Sequence, residues 1–177
     1  MSESIVVNMR RRPTRTYATE VLEITIHEES INSPGALSIV LAATDELNRR
    51  YGSVDDDIAT HLDELSPPLG YYLVARSNDH LAGGVGVRSI GEPELAAGEV
   101  KRLWVRPDLR RAGVAELLMN ALEARARELG YRTLYLETGD GQPEALAFYP
   151  KHGWQPVKDF PPGAFTHHLA IRFNKAL

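Results

Sequence analysis

The stretch Leu103-Trp104-Val105-Arg106-Pro107-Asp108-Leu109-Arg110-Arg111-Ala112-Gly113-Val114-Ala115 decides how this chain is read. An apolar run ends at Pro107, a short polar loop follows, and small residues open a long segment. There Val114, Leu117, Leu118, Ala121, Leu122, Arg125, Ala126 and Leu129 recur at helical spacing, and Gly130 ends the pattern. A strand running through such a loop into a helix makes an anion site. The first-turn N–H groups point outward, the helix dipole favours negative charge, and Ala112, Gly113 and Ala115 let a phosphate come close. Arg110 and Arg111 bring cationic charge beside it. No Gly-Lys-Ser/Thr follows, so the lysine and magnesium-binding hydroxyl of nucleoside triphosphate hydrolysis are missing. Taken alone, the stretch also reads as a strand-to-helix turn with exposed arginines.

Upstream, Tyr71–Ala75, Leu81–Ile90 and Glu99–Val105 read as three strands with short polar connections, an antiparallel meander. Gly83, Gly84 and Gly86 lie inside a strand with no helix after them, which excludes a dinucleotide-binding fingerprint. Before them, Val21–His27 alternates as a half-buried strand. Ser33 and Pro34 open a helix whose apolar positions run from Leu37 to Leu47 and which Gly52 stops. Ser53 to Asp57 starts a second helix with Ile58, Leu62 and Leu65 on one face. The acidic triplet Asp55–Asp57 fits a helix N-terminus better than a metal site. Downstream come a strand at Thr133–Glu137, a helix at Pro143–Lys151, and closing strands at Trp154–Val157 and Thr166–Phe173 around Pro161-Pro162-Gly163.

The chain has 177 residues, with 20 Lys+Arg against 24 Asp+Glu, a net charge of −4. That length suits a single domain over residues 20–177, with residues 1–19 as a flexible tail in which Arg10, Arg11, Arg12 and Arg15 cluster. The absence of cysteine excludes disulfides, thiolate nucleophiles and Cys-based metal sites. The acidic balance argues against general nucleic-acid binding, and the lack of a long apolar run argues against a membrane partner. The expected setting is therefore the cytoplasm.

Arg110-x-x-Gly113-x-Ala115 resembles the pyrophosphate loop, Arg/Gln-x-x-Gly-x-Gly/Ala, of the GNAT family of acetyl-CoA-dependent N-acetyltransferases. Glu99–Pro107 resembles that family's fourth strand. Gln142-Pro-Glu-Ala-Leu-Ala-Phe-Tyr149-Pro-Lys-His-Gly153-Trp154 resembles its last signature, a tyrosine ahead of a glycine–aromatic pair. Ala115 stands where glycine is usual and Gln142 where asparagine is often found; the family pattern admits both. The three-part match covers about residues 70–157, the expected cofactor-binding core.

The resemblance implies an α/β (α+β) fold: a mixed, mostly antiparallel central sheet of six to seven strands flanked by about four helices. It implies an acyltransferase with acetyl-CoA as donor, an amine of a small molecule or amino acid as acceptor, and no metal. The phosphates would sit on the N–H groups of Arg111, Ala112, Gly113, Val114 and Ala115, with pantetheine beside Leu103, Trp104 and Val105, and Gln142 and Ala145 lining its other side. The Leu103 N–H would polarise the thioester carbonyl, an interaction typically worth about 3–4 kcal/mol of barrier. Tyr149 would protonate or hydrogen-bond the leaving thiolate. A general base is also needed, because alkyl amines are protonated at neutral pH. Glu99 is the first choice, since strand period puts it on one face with Lys101, Leu103 and Val105, although Lys101 could tie it up in an ion pair. Glu137 is the second, and His61, His80 and His152 stay open. Also open are a protein lysine or N-terminus as acceptor, a non-catalytic acyl-CoA sensor, and a homodimer, which is common in the family.

Overall fold

In a computed structural model, the chain is described over residues 5–10, 21–52, 62–162, 164 and 170–177. The second helix expected from Ser53, with Asp55–Asp57 and His61, lies largely outside these residues; Asp63–Leu65 within it forms a 3-10 turn. Arg11, Arg12 and Arg15 also lie outside them.

One eight-stranded sheet organises the molecule, in the order β1-β2-β3-β4-β5-β6-β8-β7. Its strands are β1 (Ile5–Arg10), β2 (Val21–Glu29), β3 (Tyr71–Ser77), β4 (His80–Ile90), β5 (Ala97–Val105), β6 (Thr133–Thr138), β7 (Gln155–Val157) and β8 (Ile171–Ala176). Among the described residues three α-helices accompany it, against the about four expected: α1 (Pro34–Tyr51), α2 (Val114–Glu128) and α3 (Pro143–Lys151). The mixed, mostly antiparallel architecture is the one expected, with one strand more than the upper estimate. β1 is a departure, because the sequence reading leaves Ile5–Arg10 in the tail. The segment pairs antiparallel with β2, Ile5 opposite Ile26 and Val7 opposite Ile24. Among the described residues, no helix is long and apolar enough to cross a membrane.

Local chemistry accounts for the helix starts. Ser33 caps α1, its Oγ accepting from the Ala36 N–H at 3.1 Å, and Pro34 occupies the first turn. Pro143 does the same for α3. Strand alternation divides the core between the two faces of the sheet. Tyr71, Leu73 and Ala75 join α2 residues such as Val114, Leu118 and Leu122 on one face. Tyr72 and Val74 join Ile39 and Val40 of α1 on the other. The three glycines of β4 answer to packing: a Cβ on Gly84 or Gly86 would come within 2.8 Å of Tyr72 side-chain atoms.

Two irregularities open the sheet in its middle. β5 and β6 are parallel neighbours, paired only at Ala97–Thr133, Gly98–Leu134 and Glu99–Tyr135. Beyond Glu99 the strands part. On its other edge β5 carries a bulge: Gly86 faces Lys101 and Gly84 faces Trp104, so three steps of β5 oppose two of β4. Arg102, inside the bulge, has φ 58°, left-handed for a side-chain-bearing residue. One extra residue reverses the alternation that follows. Leu103 and Val105 therefore pack with Val100 on the α2 face, and Trp104 turns to the α1 face. This corrects the expectation that Leu103 and Val105 share a face with Glu99 and Lys101; an unbroken period of two cannot foresee a bulge.

Candidate active site

A cavity of about 840 Å³ occupies the gap between β5 and β6. Its walls are α1 (Ala43, Glu46, Leu47, Arg50), the open part of β5 (Val100–Val105), the loop into α2 (Leu109–Ala115, in part), the end of β6 (Glu137, Thr138) and α3 (Gln142, Glu144, Ala145, Phe148, Tyr149). Leu103, Trp104, Val105, Arg110, Arg111, Gly113, Val114, Ala115, Gln142, Ala145 and Tyr149, all read from sequence, are thus brought to one cavity. Ala112 packs beside them against the α2-side core. The volume falls in the range of small-molecule and cofactor sites, about 300–1,000 Å³.

The loop end is built for an anion. Gly113 stands at the N-cap of α2 with φ 91° and ψ 0°, left-handed, and offers no capping side chain. The first N–H groups of α2 consequently face the cavity end without an intrahelical partner. Arg111 precedes them at φ 60° with an exposed side chain. Arg110 behaves differently from expectation. Its Nε donates to the Val105 carbonyl at 2.9 Å, and both terminal nitrogens bond the Glu46 carboxylate. It braces the loop against α1 and β5.

Glu46 is the centre of that brace. It also accepts from Trp104 Nε1 at 3.0 Å and from Arg50 at 2.7 Å. Burial alone would raise its pKa, but hydrogen bonds from Arg110, Arg50 and Trp104 prevail and hold the carboxyl at about 2. It is ionised throughout the physiological range.

Tyr149 lies on α3 among Phe148, Trp154 and Phe173, with ring centroids 5.6, 6.0 and 5.7 Å away. Edge and tilted contacts of this kind fix the ring's direction. Burial pushes the phenol well above its ordinary pKa, so it stays protonated.

The sequence model of the Acetyltransferase (GNAT) family matches residues 40–154. The chain belongs to the GNAT acetyltransferase family. It is 32% identical to an IAA acetyltransferase of Azospirillum brasilense over 142 residues, 78% of this chain and 89% of that protein. A Klebsiella pneumoniae structure assigned as an acyl-CoA N-acyltransferase is 28% identical with a TM-score of 0.71, covering 87% of this chain and 97% of that one. A GNAT acetyltransferase of Elizabethkingia anophelis, solved with acetyl-CoA bound, shares the fold at 18% identity and a TM-score of 0.65, covering 87% of this chain and 98% of that one. The protein is therefore an acyltransferase enzyme whose relatives use acyl-CoA donors.

Within this GNAT site the two candidate bases stand in different places. Glu99 is fully buried and is not among the cavity-lining residues. Arg88, directly across the ladder, binds one of its oxygens at 2.7 Å, and Lys101 binds the other at 2.9 Å. Arg88 reaches on to Glu64. Glu137 lines the cavity and accepts from Arg172 Nε at 3.0 Å. His152 lies at the cavity edge, stacked on Phe148 at 3.9 Å with Nδ1 2.8 Å from the Phe148 carbonyl. His80 is exposed at the start of β4, away from the cavity lining. Glu46, Arg50 and Glu144 were missed by sequence reading. On a helix they look like ordinary solvent-facing charges, and only the fold brings them to the cavity.

Gly113→Glu is expected to abolish acetyl-CoA binding measured by calorimetry. The new side chain is strained at that φ and sets a carboxylate against the phosphates.

Proposed function

We propose that the protein moves an acetyl group from acetyl-CoA directly to a primary amine of a small molecule or amino acid, within a ternary complex. The observation that carries this reading is the meeting, in one cavity, of the uncapped N-terminus of α2, the unpaired stretch of β5 and the buried phenol of Tyr149. Each suits one part of the donor. The helix end suits the phosphates, the open strand edge suits an extended pantetheine arm pairing as an added strand, and the phenol suits the sulfur. The Leu103 N–H, in the bulge, is the donor assigned to the thioester carbonyl, polarising it toward attack. Gln142 and Ala145 border the arm from α3.

The acceptor amine forms its bond to the carbonyl carbon as the C–S bond breaks. The nitrogen must lose a proton and the sulfur must gain one. Tyr149 remains protonated at working pH and supplies a hydrogen bond, then a proton, to the thiolate. For the amine, Glu137 is favoured over Glu99. Glu137 lines the cavity, with Arg172 Nε bonded to its Oε1, whereas Glu99 does not line it and has both oxygens held by cations. An ammonium acceptor first sheds one proton to solvent; from the neutral amine the net transfer is then one proton from nitrogen to sulfur, with Glu137 and Tyr149 at its two ends. With no cysteine in the chain, an acetyl-cysteine intermediate has no residue to form on, which supports direct transfer. The α1 side of the cavity, covered by Glu46, Leu47 and Arg50, suits a slender acceptor better than a folded protein surface.

The test is CoA release from acetyl-, propionyl- and succinyl-CoA against amines, amino acids and peptides. Turnover with a small amine or amino acid is expected; cofactor binding without release on any acceptor would make the protein a sensor. With the acceptor found, Tyr149→Phe should lower kcat by about 10²-fold or more with the acetyl-CoA KM nearly unchanged. Glu137→Gln should lower kcat with the acetyl-CoA KM nearly unchanged. An unchanged kcat would return the role to water or another group.

A further inference from the structure

The C-terminal turn of α1 carries an arrangement that the transfer chemistry leaves unused. Arg110, Glu46, Arg50 and Glu144 form an unbroken chain of ion pairs along the cavity. Arg110 belongs to the phosphate loop, Glu46 and Arg50 lie one turn apart on α1, and Glu144 sits in the first turn of α3. Arg50 is 2.7 Å from Glu46 and 2.5 Å from Glu144, and it donates to the Gly141 carbonyl at 3.1 Å. On the opposite side, Glu46 holds Trp104 of β5, and Arg110 holds the Val105 carbonyl. The helix is thus fastened to both lips of the gap between β5 and β6.

A second contact reinforces the first. Tyr51, the last residue of α1, lies against the turn after β6. A Cβ on Gly139 would stand 2.2 Å from the Tyr51 hydroxyl oxygen, and one on Gly141 would stand 2.9 Å from its ring. Glycine at both positions is what admits the aromatic ring so close. The ladder between β5 and β6 ends at Glu99–Tyr135, so backbone pairing does not set their separation farther along.

We propose that Glu46 and Arg50 form an ionic strap that sets the width of the β5–β6 cleft and so positions acetyl-CoA in it. Neither is a reacting group; both are positioning residues. The inference rests on the reading of the cleft as the acetyl-CoA site. An arm lying along β5 like an added strand needs a spacing of about 4.8 Å, and a displacement of about 1 Å can cost much of the rate. The strap is well suited to hold such a spacing. Glu46 stays ionised because its three donors outweigh the cost of partial burial, and Arg50 touches both α1 and α3.

The experiment measures acetyl-CoA affinity by calorimetry for the wild type, Glu46→Gln, Arg50→Met, the double variant and Arg50→Lys, with thermal unfolding as the check on folding. Each of Glu46→Gln and Arg50→Met is expected to weaken affinity about tenfold, in keeping with the loss of a charged hydrogen bond. The double variant should be no weaker than the weaker single one, because either change breaks the same strap. Arg50→Lys should recover most of the affinity. Affinities within about twofold of wild type in both single variants, or losses that add in the double, overturn the strap. So does a change confined to the acceptor KM. A folded wild type that fails to bind acetyl-CoA refutes the underlying reading of the cleft instead. If Glu46→Gln does not fold, the Arg50 pair still decides, since Arg50 bonds Glu46, Glu144 and the Gly141 carbonyl.

Discussion

The pairing of β5 with β6 stops at Glu99–Tyr135, and the site depends on that stop. Parallel neighbours normally continue their ladder while both strands last. Here β5 runs on to Val105 and β6 to Thr138, diverging. The bulge at Arg102 rotates the free part of β5 after the last shared residue. Backbone groups of β5 that a closed sheet would consume are left without a partner on β6, beside the N-terminus of the helix that β5 feeds. The cavity lies in this opening, with the loop into α2 and Tyr149 of α3 in its walls.

The pieces that were legible in the sequence are those whose cause is local. The phosphate loop, the small residues opening α2, the proline that starts α3 and the tyrosine near its end each carry their signal within a few residues. So does the strand–loop–helix order, which placed β3 to β6 closely. The bulge was not legible because nothing in Lys101-Arg102-Leu103 marks it: no glycine or proline is present, and the extra residue exists only relative to Gly84–Gly86 on the neighbouring strand. The same holds for Glu99. Its partner Lys101 could be guessed two residues away, but Arg88 comes opposite it only through the ladder register. β1 was missed because a short strand at a sheet edge, next to a run of arginines, has little pattern of its own.

Charge in this molecule is distributed by purpose more than its net value of −4 suggests. Buried carboxylates are compensated at close range: Glu99 by Arg88 and Lys101, and Glu123 of α2 by Lys175 at 2.7 Å. Removing one partner of such a pair strands the other without water, so these positions bear on stability before anything else. The half-buried charges along the cavity form a continuous chain in which each cation serves two carboxylates or a carboxylate and a backbone carbonyl.

The separation of the core into two clusters, one on each face of the sheet, has a mechanical consequence. The α2 face carries the core beneath the loop into α2 and the aromatic nest of Tyr149. The α1 face carries Glu46, Arg50, Tyr51 and Trp104 over a smaller cluster centred on Ile39, Val40 and Tyr72. Strand alternation keeps the two clusters from sharing apolar side chains. The sheet is thus a partition between two apolar layers, and the charges that reach around its open middle, Glu46 of α1 to Arg110 ahead of α2, are what carry a displacement of one layer to the other.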